Sequence, residues 1–174
     1  MNRHSEKLIL VVDDEPDVRR YLKTILEDAG FRVRTAEDGE AALAVIKASP
    51  PDFISLDLIM PRKSGHRLLY ELKKNRAWAK IPVLVVTAHA KDDLGSGDLN
   101  DLLENSVMSG PGTYLEKPVN PTNYVRSIER ALGLPETAES TEQVSLKHEL
   151  RDKMNGADAE ALRRALEALK KQVE

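Results

Sequence analysis

The stretch Phe53–Pro61, Phe-Ile-Ser-Leu-Asp-Leu-Ile-Met-Pro, constrains the fold more than any other part of the chain. Phe53 to Leu56 is a short, nearly apolar run, bounded by Pro50-Pro51-Asp52 before it and by Pro61 beyond it. A run of that length without polar alternation suits a strand covered on both faces, as in a parallel sheet. Asp57 is the one charged group in the stretch. A lone buried carboxylate is costly to ionise, so Asp57 belongs at the strand's end, in a cleft, beside a cation. Read alone, it fits equally well as the cap of a following helix.

The rest of the chain weighs against the cap. Lys7 to Val12 is a second apolar, β-branched run and predicts a buried strand. It ends in Asp13-Asp14-Glu15, followed by Pro16-Asp17. Adjacent acids repel one another, and a hard divalent cation such as Mg²⁺, which takes carboxylate oxygens, would justify them. A helix N-terminus with Pro16 at its first position would favour acids too. Both readings can hold, with Glu15 and Asp17 serving the helix and Asp13 and Asp14 facing the cleft. That helix runs to about Asp28, with Val18, Leu22, Ile25 and Leu26 on its apolar side, and stops at Gly30.

Phe31 to Ala36 alternates as a second strand, with Arg32 and Arg34 on its polar face. Asp38-Gly39 leads into a helix whose core face is Ala41, Ala42, Val45 and Ile46, and Ser64-Gly65 opens another carrying Leu68, Leu69 and Leu72. Ile81 to Val86 is a fourth buried strand ending in Thr87-Ala88-His89. Tyr114-Leu115 marks a fifth, ending in Glu116-Lys117-Pro118, and Pro121 opens a helix carrying Tyr124, Val125, Ile128 and Leu132 up to Gly133. Strands alternating with helices of this length imply right-handed βαβ units and an α/β, doubly wound, five-stranded parallel sheet. Sites in such sheets form at the strands' carboxyl ends. Asp13-Asp14, Asp57, Thr87 and Lys117 all fall at that rim.

Four tags in order, Val-Val-Asp-Asp-Glu-Pro (11–16), Leu-Asp-Leu-Ile-Met-Pro (56–61), Val-Thr-Ala (86–88) and Tyr-Leu-Glu-Lys-Pro (114–118), resemble the response-regulator receiver domain of two-component signalling. The resemblance covers about Lys7 to Leu132 and implies the flavodoxin-like receiver fold. It implies Asp57 as phosphoacceptor, Asp13 and Asp14 as organisers of Mg²⁺ with Asp57 and the backbone carbonyl of Ile59, and Lys117 as partner of the phosphoryl group. Thr87 becomes the switch hydroxyl, Tyr114 the switch aromatic, and the peptide before Pro118 cis. The implied partners are a sensor histidine kinase or phosphotransfer protein and a downstream protein. The chain would be no enzyme beyond its own phosphoryl transfer and dephosphorylation. Ile59, two residues past Asp57, offers no hydrogen bond to a hydrolytic water, which implies a long-lived phosphorylated form.

Two departures stand out. The stretch from Thr87 to Lys117 is longer than the family usually allows, with a helix expected over 98–107 between Gly95-Ser96-Gly97 and Gly110-Pro111-Gly112. Beyond the domain at 1–133, a polar linker at 134–141 leads to a helical extension at 142–174. Its stripe Leu162, Leu166, Leu169 and Val173 must bury against its own receiver, the preceding helix or a second copy in a homodimer. Acids outnumber bases in this tail, and the whole chain has net charge −3 and pI about 5.9. A transcriptional regulator binding DNA through the tail is the competing function, but it normally needs a third helix and a basic face. A phosphorylation-independent docking module is a further alternative, opposed by the intact acid–Thr–Lys set.

The chain has no cysteine, no apolar run long enough to cross a bilayer, and no apolar segment behind Met1–Lys7 to suggest export, so the expectation is a cytoplasmic protein. His4 and His148 are expected exposed and without partners, His66 on a helix surface, and His89 near the rim without a metal-binding role.

Overall fold

A computed structural model describes residues 3–88 and 114–136, and the expected helix over 98–107, His89, the end of the linker and the helical extension lie outside them. Five strands form one parallel sheet: β1 Leu8–Val12, β2 Arg32–Ala36, β3 Phe53–Leu56, β4 Val83–Thr87 and β5 Tyr114–Glu116, in the order β2-β1-β3-β4-β5. The described helices are α1 Pro16–Asp28, α2 Gly39–Ala48, α3 Ser64–Lys74 and α4 Pro121–Ala131. None is long and apolar enough to cross a membrane.

β1, β3 and β4 are buried along their whole length, which is why each reads as a continuous apolar run. β2 lies at the sheet edge, so Arg32 and Arg34 reach solvent while Val33 packs inward. Alternate strand residues feed two cores. Ile9, Val11, Phe53, Leu84 and Val86 pack under α1 and α4, whereas Leu10, Val12, Ile54, Leu56 and Val85 pack under α2 and α3. Trp78 packs at the edge of the second core. The helix starts follow local chemistry. Pro16 and Pro121 occupy first-turn positions, Asp38 accepts from Ala41 N–H at 2.8 Å, and Asn120 accepts from Asn123 N–H at 3.1 Å.

The N-terminus departs from the sequence reading. His4 is buried, not exposed, and its Nε2 lies 2.9 Å from Oε1 of Glu129, a residue of α4 that is only 1% exposed. The imidazole also meets the Phe31 ring edge-on at 4.7 Å. A turn over residues 3–6 brings the segment onto the α1/α4 side, where an amphipathic ring finds both an apolar wall and a polar partner. His66 is half-buried rather than a plain surface residue, with its Nδ1 out of reach of solvent.

Candidate functional site

The chain winds outward from β1 to β2 and then crosses to β3, so the strand order reverses between β1 and β3. That switch point opens a crevice at the carboxyl ends of the two strands. Val12 pairs with Leu56, so Asp13 and Asp57 are the next residues in register, and Asp57 N–H donates to Val12 O at 2.9 Å. On the other side, Thr87 pairs with Glu116 and its carbonyl accepts from Lys117 N–H at 2.9 Å. The sheet thus delivers the two acids and the lysine to one rim. Thr87, fully buried, closes β4 beside them. The Lys117–Pro118 peptide is cis. Tyr114 starts β5 opposite Val85.

Asp57 is 4% exposed and Asp13 1%. Lys117 Nζ stands 3.0 Å from Asp57 Oδ2, 2.9 Å from Asp13 Oδ2 and 3.3 Å from Glu15 Oε1. Its contact with Asp13 is an ion pair outside hydrogen-bonding angles, while the Asp57 contact is a hydrogen bond. The remaining oxygens are held by backbone: Asp57 Oδ1 accepts from Ile59 N–H and Asp13 Oδ1 from Glu15 N–H, both at 2.9 Å. Burial pushes the Asp57 carboxyl above its ordinary pKa despite the opposing ammonium of Lys117. Burial works to lower the Lys117 ammonium, but Asp13 and Asp57 outweigh it and hold its pKa above the ordinary lysine range. The lysine therefore stays charged throughout the physiological range.

Asp13, Asp14 and Asp57 each offer a carboxylate oxygen, and the three lie within 4.8 Å of one another. Three carboxylates converging in this way are the hard oxygen donors that Mg²⁺ takes, so Asp13, Asp14 and Asp57 would suit that ion. Asp13 Oδ2, which Lys117 Nζ holds at 2.9 Å, is the oxygen of that set nearest the ammonium. Glu15 was expected to serve α1, yet it sits at the N-cap without a capping hydrogen bond and turns toward Lys117 instead. Gly65 was read only as a helix opener. Its missing side chain lets α3 start against the backbone of Asp57 and Leu58, with a built Cβ only 2.6 Å from Asp57 O. Ile59 projects its apolar side chain at the rim, 47% exposed.

Residues 9–129 match the model of the response regulator receiver domain. The chain belongs to that family. The receiver is 37% identical over 134 residues to "Probable transcriptional regulator ycf27" of Cyanophora paradoxa, covering 75% of this chain and 52% of that protein. It therefore spans about half the length of that relative. Among solved structures, the receiver domain of NtrX from Brucella abortus aligns with a TM-score of 0.60 and 32% identity, covering 73% of this chain and 99% of that one. Chemotaxis protein CheY4 of Vibrio cholerae aligns with a TM-score of 0.61 and 27% identity, covering 72% and 98%. The fold is the flavodoxin-like receiver fold, and the chain is a response regulator receiver of two-component signalling.

Proposed function

We propose that the chain accepts a phosphoryl group on Asp57 from a sensor histidine kinase or phosphotransfer protein and uses the change to switch contacts with a downstream protein in the cytoplasm. The observation that carries this reading is Asp57 itself: a buried carboxylate at a crevice mouth, between a lysine ammonium at 3.0 Å and two further acids. Structural ion pairs rarely gather three carboxylates around one cation at a topological switch point. An open cleft of about 540 Å³ beside the pocket, lined by Glu15, Val18, Tyr21, Lys117 and Pro118, gives a donor side chain room to approach.

Ionised Asp57 Oδ2 attacks phosphorus and forms an acyl phosphate, while the phosphorus–nitrogen bond of the donor phosphohistidine breaks and its electron pair stays on the imidazole. Asp13, Asp14, Asp57 and the Ile59 carbonyl would hold Mg²⁺, which when bound supplies neutralising charge for the transferring oxygens. Lys117 follows the negative charge from the carboxylates to the new phosphoryl oxygens, where a charge-assisted contact is strongest. The modification adds about −1.5 to −2 charges and three acceptor oxygens. Thr87, on the strand end tied to Lys117 through its carbonyl, can donate to one of them and draw its loop inward, with Tyr114 as the responding aromatic. No separate substrate is turned over.

The test is intact mass after incubation with acetyl phosphate and Mg²⁺. The full chain should gain one phosphoryl group, and neither the Asp57→Asn variant nor wild type in excess chelator should. Phosphorylation of Asp57→Asn within this pocket would overturn the assignment.

A further inference from the structure

The turn from β1 into α1 is crowded with acids, Asp13, Asp14, Glu15 and Asp17, and Arg19 follows them in the first turn of the helix. An arginine so placed would ordinarily clamp a carboxylate. Among the described residues, Arg19 makes no ion pair with any of the four. Its half-buried side chain turns back along the chain instead, and Nη1 donates to the backbone carbonyl of Asp13 at 2.6 Å.

That carbonyl belongs to the peptide that joins Asp13 to Asp14. A peptide unit is rigid and planar, so fixing its oxygen fixes the plane that carries both Cα atoms. The two acids are not otherwise equally well held. Asp13 is anchored on its other side, because its N–H donates to Ala36 O at 3.2 Å and its Oδ1 accepts from Glu15 N–H at 2.9 Å. Asp14 is half-buried, and among the described residues no hydrogen bond or ion pair reaches its side chain. The helix start adds no brace, since Glu15 at the N-cap makes no capping hydrogen bond. The Arg19 bond opposes swivelling of the peptide between the two acids, a motion that would carry Asp14 away from Asp13 and Asp57.

We propose that Arg19 is a positioning residue: through the Asp13 carbonyl it orients the Asp13–Asp14 peptide and so holds the Asp14 carboxylate within the metal-binding set. The proposal rests on the receiver reading above, because that reading gives Asp14 its metal. Bonding a carbonyl rather than a carboxylate matters chemically. A guanidinium clamped on Asp14 would occupy the oxygens a cation needs, whereas on the carbonyl it braces the turn and leaves them open. Its positive charge repels a nearby divalent cation, so bracing and charge push Mg²⁺ affinity in opposite directions. The sign of the change on removing Arg19 tells the two apart.

The test uses the full chain as wild type, Arg19→Met, Arg19→Lys, Asp14→Ala and the Arg19→Met, Asp14→Ala double variant. Methionine keeps an apolar stem without donor or charge, and lysine keeps both. Mg²⁺ affinity is measured by calorimetry, unfolding temperature without the metal, and phosphorylation by acetyl phosphate across a Mg²⁺ titration. Arg19→Met should weaken Mg²⁺ binding roughly tenfold, as loss of a support behind a metal ligand does elsewhere. Its phosphorylation rate should recover toward wild type as Mg²⁺ is raised, and Arg19→Lys should keep most of the affinity. In the Asp14→Ala background Arg19→Met should cost little more, because the residue it positions is gone. A merely structural bond would lower the metal-free unfolding temperature and leave the affinity at its wild-type value, and that result overturns the proposal. So does tighter binding in Arg19→Met, which would leave only the charge, a loss in Arg19→Lys as large as in Arg19→Met, or a full further loss in the Asp14→Ala background. Each of these leaves the receiver site standing. A wild-type chain that binds no Mg²⁺ and accepts no phosphoryl group overturns both.

Discussion

Replacing Gly65 with alanine isolates how α3 positions the proposed phosphorylation site. A Cβ at residue 65 would lie 2.6 Å from Asp57 O and 2.9 Å from both Leu58 Cα and Leu58 O. All three are backbone atoms of the loop leaving β3, so no flexible side-chain tip can give way. Restoring ordinary contact with the oxygen requires roughly 0.8 Å of separation between α3 and that loop. If α3 retreats, Leu68, Leu69 and Leu72 lose packing in the α2/α3 core; if the loop retreats, Asp57 moves. Overpacking of this kind costs about 1–3 kcal/mol. Alanine returns at most about 1 kcal/mol of helix propensity, so the net loss should be about 1–2 kcal/mol. A misplacement of 1 Å can cost about 10²-fold in a reaction that depends on alignment, and a smaller shift here should slow phosphorylation roughly tenfold. Gly133→Ala is the matched control. Gly133 has φ +63° and no atom within 4 Å of a built Cβ, so alanine there incurs a left-handed backbone penalty of about 1 kcal/mol at the end of α4 remote from Lys117. Urea unfolding and the rate of phosphorylation by acetyl phosphate are measured on both variants. Equal slowing in both would mean that lost stability, not displacement of Asp57, sets the rate. Wild-type behaviour of Gly65→Ala in both assays would refute the contact argument outright.

Burial holds the Asp57 proton more tightly in the folded than in the unfolded chain. This group therefore favours folding most below the unfolded value of 3.8, and the contribution is lost as pH rises toward the folded value. Asp57→Asn, which carries no such proton, should match wild type near pH 4 and unfold a few degrees higher at pH 7 without Mg²⁺, at roughly 2–4 °C per kcal/mol; a gap that widens toward acid pH contradicts the sign. Lys117→Ala should leave Mg²⁺ affinity at or above wild type in calorimetry, because its ammonium contacts the same oxygens the metal needs, whereas Asp14→Ala should lose at least about tenfold. If the lysine variant loses as much as Asp14→Ala, its role belongs with the metal. His4→Ala should cost about 1–3 kcal/mol in urea unfolding, because it removes a buried hydrogen-bond partner of Glu129. A loss below about 1 kcal/mol would show that the pair contributes nothing net.

The sheet and its rim were legible because each buried strand is an apolar run that ends at a polar residue of the candidate site. Val12 precedes Asp13, Leu56 precedes Asp57, and Thr87 closes β4, so the boundary of the strand and the position of the chemistry are the same signal. Boundaries slipped where that signal was blurred: Ile81-Pro82 reads as strand, but β4 begins at Val83, and Pro82 contributes only its carbonyl, to Ile54 N–H. What did not show was pairing between distant parts of the chain. His4 and Glu129 are 125 residues apart, and nothing in the period of either segment announces the other. Ser55 passed as one member of an apolar run, and Tyr124 as one more core-facing residue of its helix. Periodicity sorts residues between solvent and core, but a polar residue on a core face needs a particular partner, and only the fold supplies it.

Those hidden polar residues are not spread evenly. Ser55 lies in β3, and Asp13 and Asp57, one residue past β1 and β3, continue the odd-numbered alternation that faces α1 and α4; His4 and Glu129 sit on the same side of the sheet. The core under α2 and α3 meets the site through close backbone contact at Gly65 and, at the end of β4, through Thr87. The two halves of the molecule should therefore influence the phosphorylation site by different physics. Substitutions beneath α2 and α3 act by displacing backbone, so their effects should follow the volume added and resist changes of ionic strength. Substitutions on the α1 and α4 side meet buried polar groups, among them the His4–Glu129 pair, so changes that remove charge or a hydrogen bond with little change of volume should register there.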